Sequence, residues 1–223
     1  MPLNENTYSI RRDSLLATHS VLRNTYLLLS LTLLFSAGAA WFGVVTQASF
    51  GGAMIAILAS FALIFITGAL RNSVWGILAV FAFTGCTGYS MGPLLNHFIK
   101  GYSNGGTLIL TALGGTGVTF FLCSAYVLVT KKDMSHMGKF LMIGLVVALL
   151  ASLGNIFFKM PALQLAISSV MILISAMYMM YETSRIINNG ETNYIMATIS
   201  LFIFISAMFQ NLLMLLGFTN GRE

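Results

Sequence analysis

Apolar and polar stretches alternate along the chain, and the apolar ones share a length of about 20 residues. Seven of them run at about 25–46, 51–70, 74–96, 106–129, 139–158, 161–182 and 194–217. A helix rises about 1.5 Å per residue, so each stretch can cross a hydrocarbon core of about 30 Å. The gaps carry turn and polar residues, among them "QASFGG", "RNS", "HFIKGYSNGG", "KKDMSHMG" and "TSRIINNGETN". The fifth and sixth stretches are parted only by Lys159 and Pro161. Proline suits the first turn of a new helix, so two spans are expected there rather than one long helix. The pattern predicts an all-α membrane protein, a bundle of seven transmembrane helices.

Composition agrees. Of 223 residues, 57% are hydrophobic and 8% charged, and the mean hydropathy is +0.88. A soluble domain carries about a quarter of its residues as charges, so this chain cannot cover a water-facing surface. The net charge of +5 is scattered, with no more than two adjacent basic residues (Arg11-Arg12, Lys131-Lys132), which excludes a nucleic-acid footprint. With seven spans, the gaps place Arg11, Arg12, Arg23, Arg71, Lys131, Lys132, Lys139 and Arg185 on one side. Lys100, Lys159 and Arg222 fall on the other. The excess of positive charge marks the cytoplasmic side. The expected organisation is a cytoplasmic N-terminal tail (1–24), a seven-helix domain (25–217) and a short external C-terminus (218–223). The first residues are polar for too long to be a cleavable signal.

Few residues could carry chemistry. Cys86 and Cys123 both lie in apolar runs and read as small core residues. His19, His97 and His136 fall at span ends or in loops on both sides of the predicted membrane, so they cannot converge on one site. No zinc-protease, nucleophile-elbow or paired-aspartate pattern is present, and neither an enzyme activity nor a metal or cofactor is expected. Gly85, Gly88 and Gly92 fall at i, i+3 and i+7 within "FTGCTGYSMG", and glycines recur in "ALGGTGVTF" and "SAGAAWFG". In mid-membrane such spacing points to close helix–helix packing.

Glu182 stands out, because it closes an apolar run in a chain with six acidic residues. Tyr178 and Arg185 share its helix face. Two readings stand. It is an interfacial carboxylate facing water and paired with Arg185, or it turns inward and caps a polar path through the bundle. Ser200, Phe204, Ala207 and Asn211 form a stripe on the last span, with Ser206 and Gln210 beside it, and buried groups of this kind also serve plain helix–helix hydrogen bonding.

The sequence "YMMYETSRII", a short polar loop and a last span ending "FQNLLMLLG" together resemble the Bax inhibitor-1 family of seven-helix membrane proteins. Tyr181, Glu182 and Ile186 match that family's Tyr-Asp-x-x-x-Ile ending of the sixth span. Asn211, Leu212, Leu213 and Gly217 match the closing pattern of the seventh. "AFAFTGCTGYSMGPLL" and "KKDMSHMGKFLM" also fit, so the resemblance covers nearly the whole chain. It is closer still to a bacterial inner-membrane branch described as modulating the AAA-type protease FtsH. This implies an inner-membrane regulator, and substrate, of that protease, with FtsH and the lipid bilayer as partners.

Some members of the family are pH-gated calcium leaks. The alternative implied is therefore a leak for calcium or another cation, with Glu182 at its cytoplasmic gate and Arg71 as the basic residue near it. The leak needs a second acid early in the seventh span, and that position is Phe204 here. A shared-proton pair requires two carboxyls, which argues against a leak. The protease reading makes residues 1–20 a recognition tail, with Arg11, Arg12 and Asp13 as its charged centre. That segment reads either as a loosely held end or as an amphipathic helix on the membrane surface, carrying Ile10, Leu15 and Leu16.

Overall fold

A computed structural model describes residues 5–188 and 190–220, with side chains from Ser20 onward. The described residues form eight α-helices and one 3₁₀ turn, with no strand. They are α1 (Glu5–Val45), α2 (Phe50–Leu70), α3 (Val74–Ser90), α4 (Gly92–Gly101), α5 (Gly105–Thr130), the turn Ser135–Met137, α6 (Gly138–Phe158), α7 (Pro161–Ile187) and α8 (Tyr194–Asn220). Among the described residues seven segments are long and apolar enough to cross a membrane, with α3 and α4 together making the third.

Among the boundaries that differ from those the apolar runs predict, two lie in the first half of the chain. The first span begins at Ser20 rather than near residue 25, and its helix continues without a break back to Glu5. The third does not stop near residue 96. It breaks at Met91, where Pro93 supplies no N–H to the preceding turn, and resumes as α4 through Gly101. Pro161 opens α7 as expected, two residues after α6 ends. Lys159 closes α6 in the left-handed conformation (φ 49°), and Asn155 secures the corner. Its carbonyl oxygen accepts the Lys159 N–H at 2.8 Å and its Oδ1 the Met160 N–H at 3.0 Å.

The last helix is the hub. α8 packs against α1, α2, α3, α5 and α7, while α6 leans on α7 at the rim. Phe202, Leu201 and Met208 on α8 are fully buried, and Phe202 meets Phe83 edge-on at 5.6 Å. The outer surface is the reverse of a soluble protein's: Phe157, Val129, Phe65 and Leu34 are 72–85% exposed. Only a hydrocarbon solvent makes that belt stable.

The first glycine run faces α1 and works by contact. A Cβ on Gly88 would collide with the Ser36 carbonyl, one on Gly92 would lie 2.8 Å from the Gly43 carbonyl carbon, and one on Gly85 would lie 2.8 Å from the Phe35 ring. Backbones approach there as they do at small-residue interfaces in membranes. The second run behaves otherwise. A Cβ on Gly114 or Gly117 would have nothing within 4 Å, and one on Gly115 would meet only Leu212 at 3.6 Å.

Candidate functional site at the end of α7

The apolar run that ends at Glu182 is not the end of the helix, because α7 continues to Ile187. Glu182 is 5% exposed, and Arg185, one turn on, donates from Nη1 to both of its carboxylate oxygens at 3.2 Å. The same guanidinium donates from Nη2 to Glu191 Oε2 at 3.3 Å in the loop leading to α8, and it sits 5.7 Å above the Tyr181 ring. One cation thus serves two carboxylates. The structure takes one part from each expectation: the pair with Arg185 is present, but Glu182 does not face water.

The network runs onward through the backbone. Glu191 Oε1 accepts the Asn193 N–H at 3.0 Å. Asn193 Oδ1 caps α8 by accepting the N–H groups of Ile195 and Met196 at 3.0 and 3.2 Å. Its Nδ2 donates to the Arg71 carbonyl at 2.9 Å and to Asn72 Oδ1 at 3.0 Å, which ties the α2–α3 corner to the start of α8. Two residues past Glu182, Ser184 fastens the α5–α6 loop: its Oγ accepts the Met134 N–H at 2.9 Å and donates to the Lys132 carbonyl at 3.0 Å. In that loop Asp133 accepts the Ser135 N–H at 2.9 Å, and this backbone hydrogen bond is the main reason its carboxyl lies below the usual carboxylate range. Thr183 Oγ1 and Tyr26 Oη, 3.5 Å apart, bring in α1.

Not every residue singled out in the sequence reaches this site. Tyr178 does not hydrogen-bond to Glu182. Its ring lies flat on Phe204, with centroids 3.9 Å apart and planes 7° from parallel. The last-span position where the sequence resemblance implies a second acid is thus filled by an aromatic stack. Arg71 is exposed and enters through its carbonyl oxygen. Asn211 turns back on its own helix, donating to the Ala207 carbonyl at 2.7 Å, and lies about 27 Å along α8 from Asn193. The side chains of Arg11, Arg12 and Asp13 lie outside the described residues. Sequence reasoning does not single out Ser184, Glu191, Asn193 or Tyr26. Asn193 carries a signal, since it stands just before the last apolar run at the position where asparagine caps helices. Ser184 carries none, because its partners are loop backbone groups some fifty residues earlier.

Chemically the site is a clasp. It joins α7 to α8, to the α2–α3 corner and to the α5–α6 loop through charge-assisted and backbone hydrogen bonds. Among the described residues no group of three or more His, Cys, Asp and Glu is placed to hold a metal ion.

Residues 18–221 match the family model described as "Inhibitor of apoptosis-promoting Bax1". The chain is 50% identical over 209 residues, 94% of each chain, to "Modulator of FtsH protease YccA" of Escherichia coli strain K12. It is equally similar to "Inner membrane protein YccA" of E. coli O6:H1. An uncharacterized protein of Pseudomonas aeruginosa is 45% identical over 203 residues, 91% of each chain.

Proposed function

The chain belongs to the Bax inhibitor-1 family, and from that premise we propose that it is an inner-membrane regulator, and itself a substrate, of an FtsH-type AAA protease. The observation that carries this reading is the 50% identity, over 94% of both chains, to the E. coli protein named as a modulator of that protease. Relatives this similar over 94% of both chains share a fold. The reading takes the chain to be a regulator rather than an enzyme, with its N-terminus in the cytoplasm and its C-terminus in the periplasm. The distribution of Lys and Arg between the two sides supports that orientation.

Two features suit a protein that occupies a threading protease. α1 spans 41 residues, about 60 Å, which is twice a hydrocarbon core, so residues 5–19 extend beyond the span that starts at Ser20. The body behind it is clasped at the end of α7 and resists extraction. Cation conduction has weaker support. Both oxygens of Glu182 are engaged by Arg185, and Phe204 stacks on Tyr178 where a second acid would be needed.

Deleting residues 2–12 removes the outer part of the extension, including Arg11 and Arg12. In cells that contain FtsH, the truncated protein should live longer and, at high expression, should protect a second FtsH membrane substrate more strongly than the full-length protein does. In cells lacking the protease, both forms should be equally stable. Equal turnover of the two forms with FtsH present, together with no effect of either on the second substrate, would sink the reading.

A further inference from the structure

The two ends of the bundle carry charge differently. Asp133, Glu182 and Glu191, the carboxylates whose side chains are described, all lie at the clasp end of α7. At the opposite end Lys100 closes α4 and Lys159 turns the α6–α7 corner, both exposed, and no described carboxylate stands there to neutralise them. A positive surface without counter-charges of its own attracts anions. A half-open cleft of about 150 Å³, bounded by α4, α7 and α8, adjoins both lysines. Lys100 follows His97, a lining residue, at i+3 and so shares its side of α4. Lys159 precedes Gln164, another lining residue, across the corner that Asn155 secures.

The floor of the cleft is closed. Ser168 and Phe98 are 1% and 2% exposed, so they give it shape and offer a ligand nothing. The accessible lining divides by polarity. Leu165, Met214 and Phe218 are apolar, and His97, Tyr102 and Gln164 carry polar groups. Gln164 Oε1 accepts from Asn155 Nδ2 at 3.0 Å, which leaves Nε2 as the group that can donate to a ligand. Met214 is 40% exposed although it lies about 9 Å along α8 from Asn220, so the central helix can be reached from outside the bundle at that depth. A matching ligand has an apolar chain for the cleft and an anionic head for the lysines. A free anion would leave the apolar lining unused, and a plain hydrocarbon would leave the lysines without a counter-charge.

We infer that this corner holds one anionic phospholipid of the surrounding bilayer. One acyl chain lies in the cleft against Leu165 and Met214, and the phosphate is drawn to Lys100 and Lys159 with Gln164 Nε2 as a further donor. Lysine stems are long and flexible enough to lay their methylenes along apolar surface and keep the ammonium groups at headgroup level. The inference depends neither on the protease reading nor on which side of the membrane this end faces.

The test uses the full-length protein in detergent micelles, titrated with phosphatidylglycerol and phosphatidylethanolamine of identical acyl chains and read by native mass spectrometry. The wild type should bind phosphatidylglycerol more tightly than the zwitterionic lipid. Lys100→Gln and Lys159→Gln change exposed side chains and therefore keep the fold. Each should weaken phosphatidylglycerol about fivefold and leave phosphatidylethanolamine unchanged. The double change Lys131→Gln/Lys132→Gln, at the clasp end, should have a smaller effect than the Lys100/Lys159 pair. Met214→Trp fills the apolar part of the cleft and should weaken both lipids. On the wild type, dihexanoyl-phosphatidylglycerol should displace the long-chain lipid, and glycerol 3-phosphate should not. Equal binding of the two lipids overturns the inference, as does unchanged phosphatidylglycerol affinity in the Lys100/Lys159 pair or an equal loss in the Lys131/Lys132 pair. Displacement by glycerol 3-phosphate also overturns it, because the head alone would then suffice, and so does full binding in folded Met214→Trp. If Met214→Trp does not fold, the short-chain competition decides: displacement by the dihexanoyl lipid supports the site, and its failure overturns it.

Discussion

Arg185 is the residue on which the α7 clasp turns, because two acids depend on its one positive charge. Its side chain is 29% exposed while that of Glu182 is 6%, so the carboxylate has given up more water than the guanidinium has. Removing the cation strands a buried negative charge, which is the costly way to break such a pair. Arg185→Leu should therefore lower stability to denaturant in detergent by about 2–3 kcal/mol. Glu182→Gln leaves Arg185 with Glu191 and should lower it by about 1 kcal/mol or less. Combining the two substitutions should recover most of the Arg185→Leu loss, the sign of coupling between contacting groups. If Arg185→Leu unfolds with the wild-type midpoint, the pair contributes nothing to holding α7 and α8 together. Glu182 and Arg185 are legible in the sequence as a pair at helical spacing. Their burial is not, because the helix runs five residues past the apolar stretch and the loops on either side fold back over it.

Among the helices, the contact of α1 with α3 and α4 is the one most exposed to single substitutions. Gly88→Ala should destabilise the bundle by about 1–3 kcal/mol, since the added methyl meets backbone that cannot rotate away. Gly114→Ala, with open space around it, should stabilise α5 by about 0.5–1 kcal/mol. Thermal unfolding of the two variants side by side checks both signs. The two glycine runs look alike as text, yet spacing separates them. Gly85, Gly88 and Gly92 share one face, whereas Gly114, Gly115 and Gly117 point around the helix. The break at Met91 is hidden inside an unbroken apolar stretch, although Pro93 is its visible cause. On α7, Ser175 is fully buried with no partner for its hydroxyl. Ser175→Ala should leave stability unchanged or raise it by about 1 kcal/mol, and a loss above about 1 kcal/mol would show that the hydroxyl is engaged.

For the whole molecule, seven spans set the two ends of the chain on opposite sides of the membrane. With the proposed orientation, a reporter fused after residue 223 should be active in the periplasm, and cytoplasmic activity would sink the seven-span arrangement, merging or removing a span around Pro161. The number and order of the spans can be read from apolar length alone, since a bilayer imposes that length on every crossing. Which helix is central cannot, because α2, α5 and α8 are similarly apolar and differ only in what surrounds them. That central helix is also the last of the seven spans to be synthesised. At about 5–20 residues per second, the ribosome needs roughly 1–5 s to make the 27 residues of α8. Until they arrive, α1, α3, α5 and α7 lack the partner they share, Asn193 has not closed the α2–α3 corner, and Glu191 is not yet there for Arg185. Every newly made copy therefore passes through an interval in which the earlier spans, α1, α2 and α3 already able to pack on one another, lack the helix that joins them to α5 and α7.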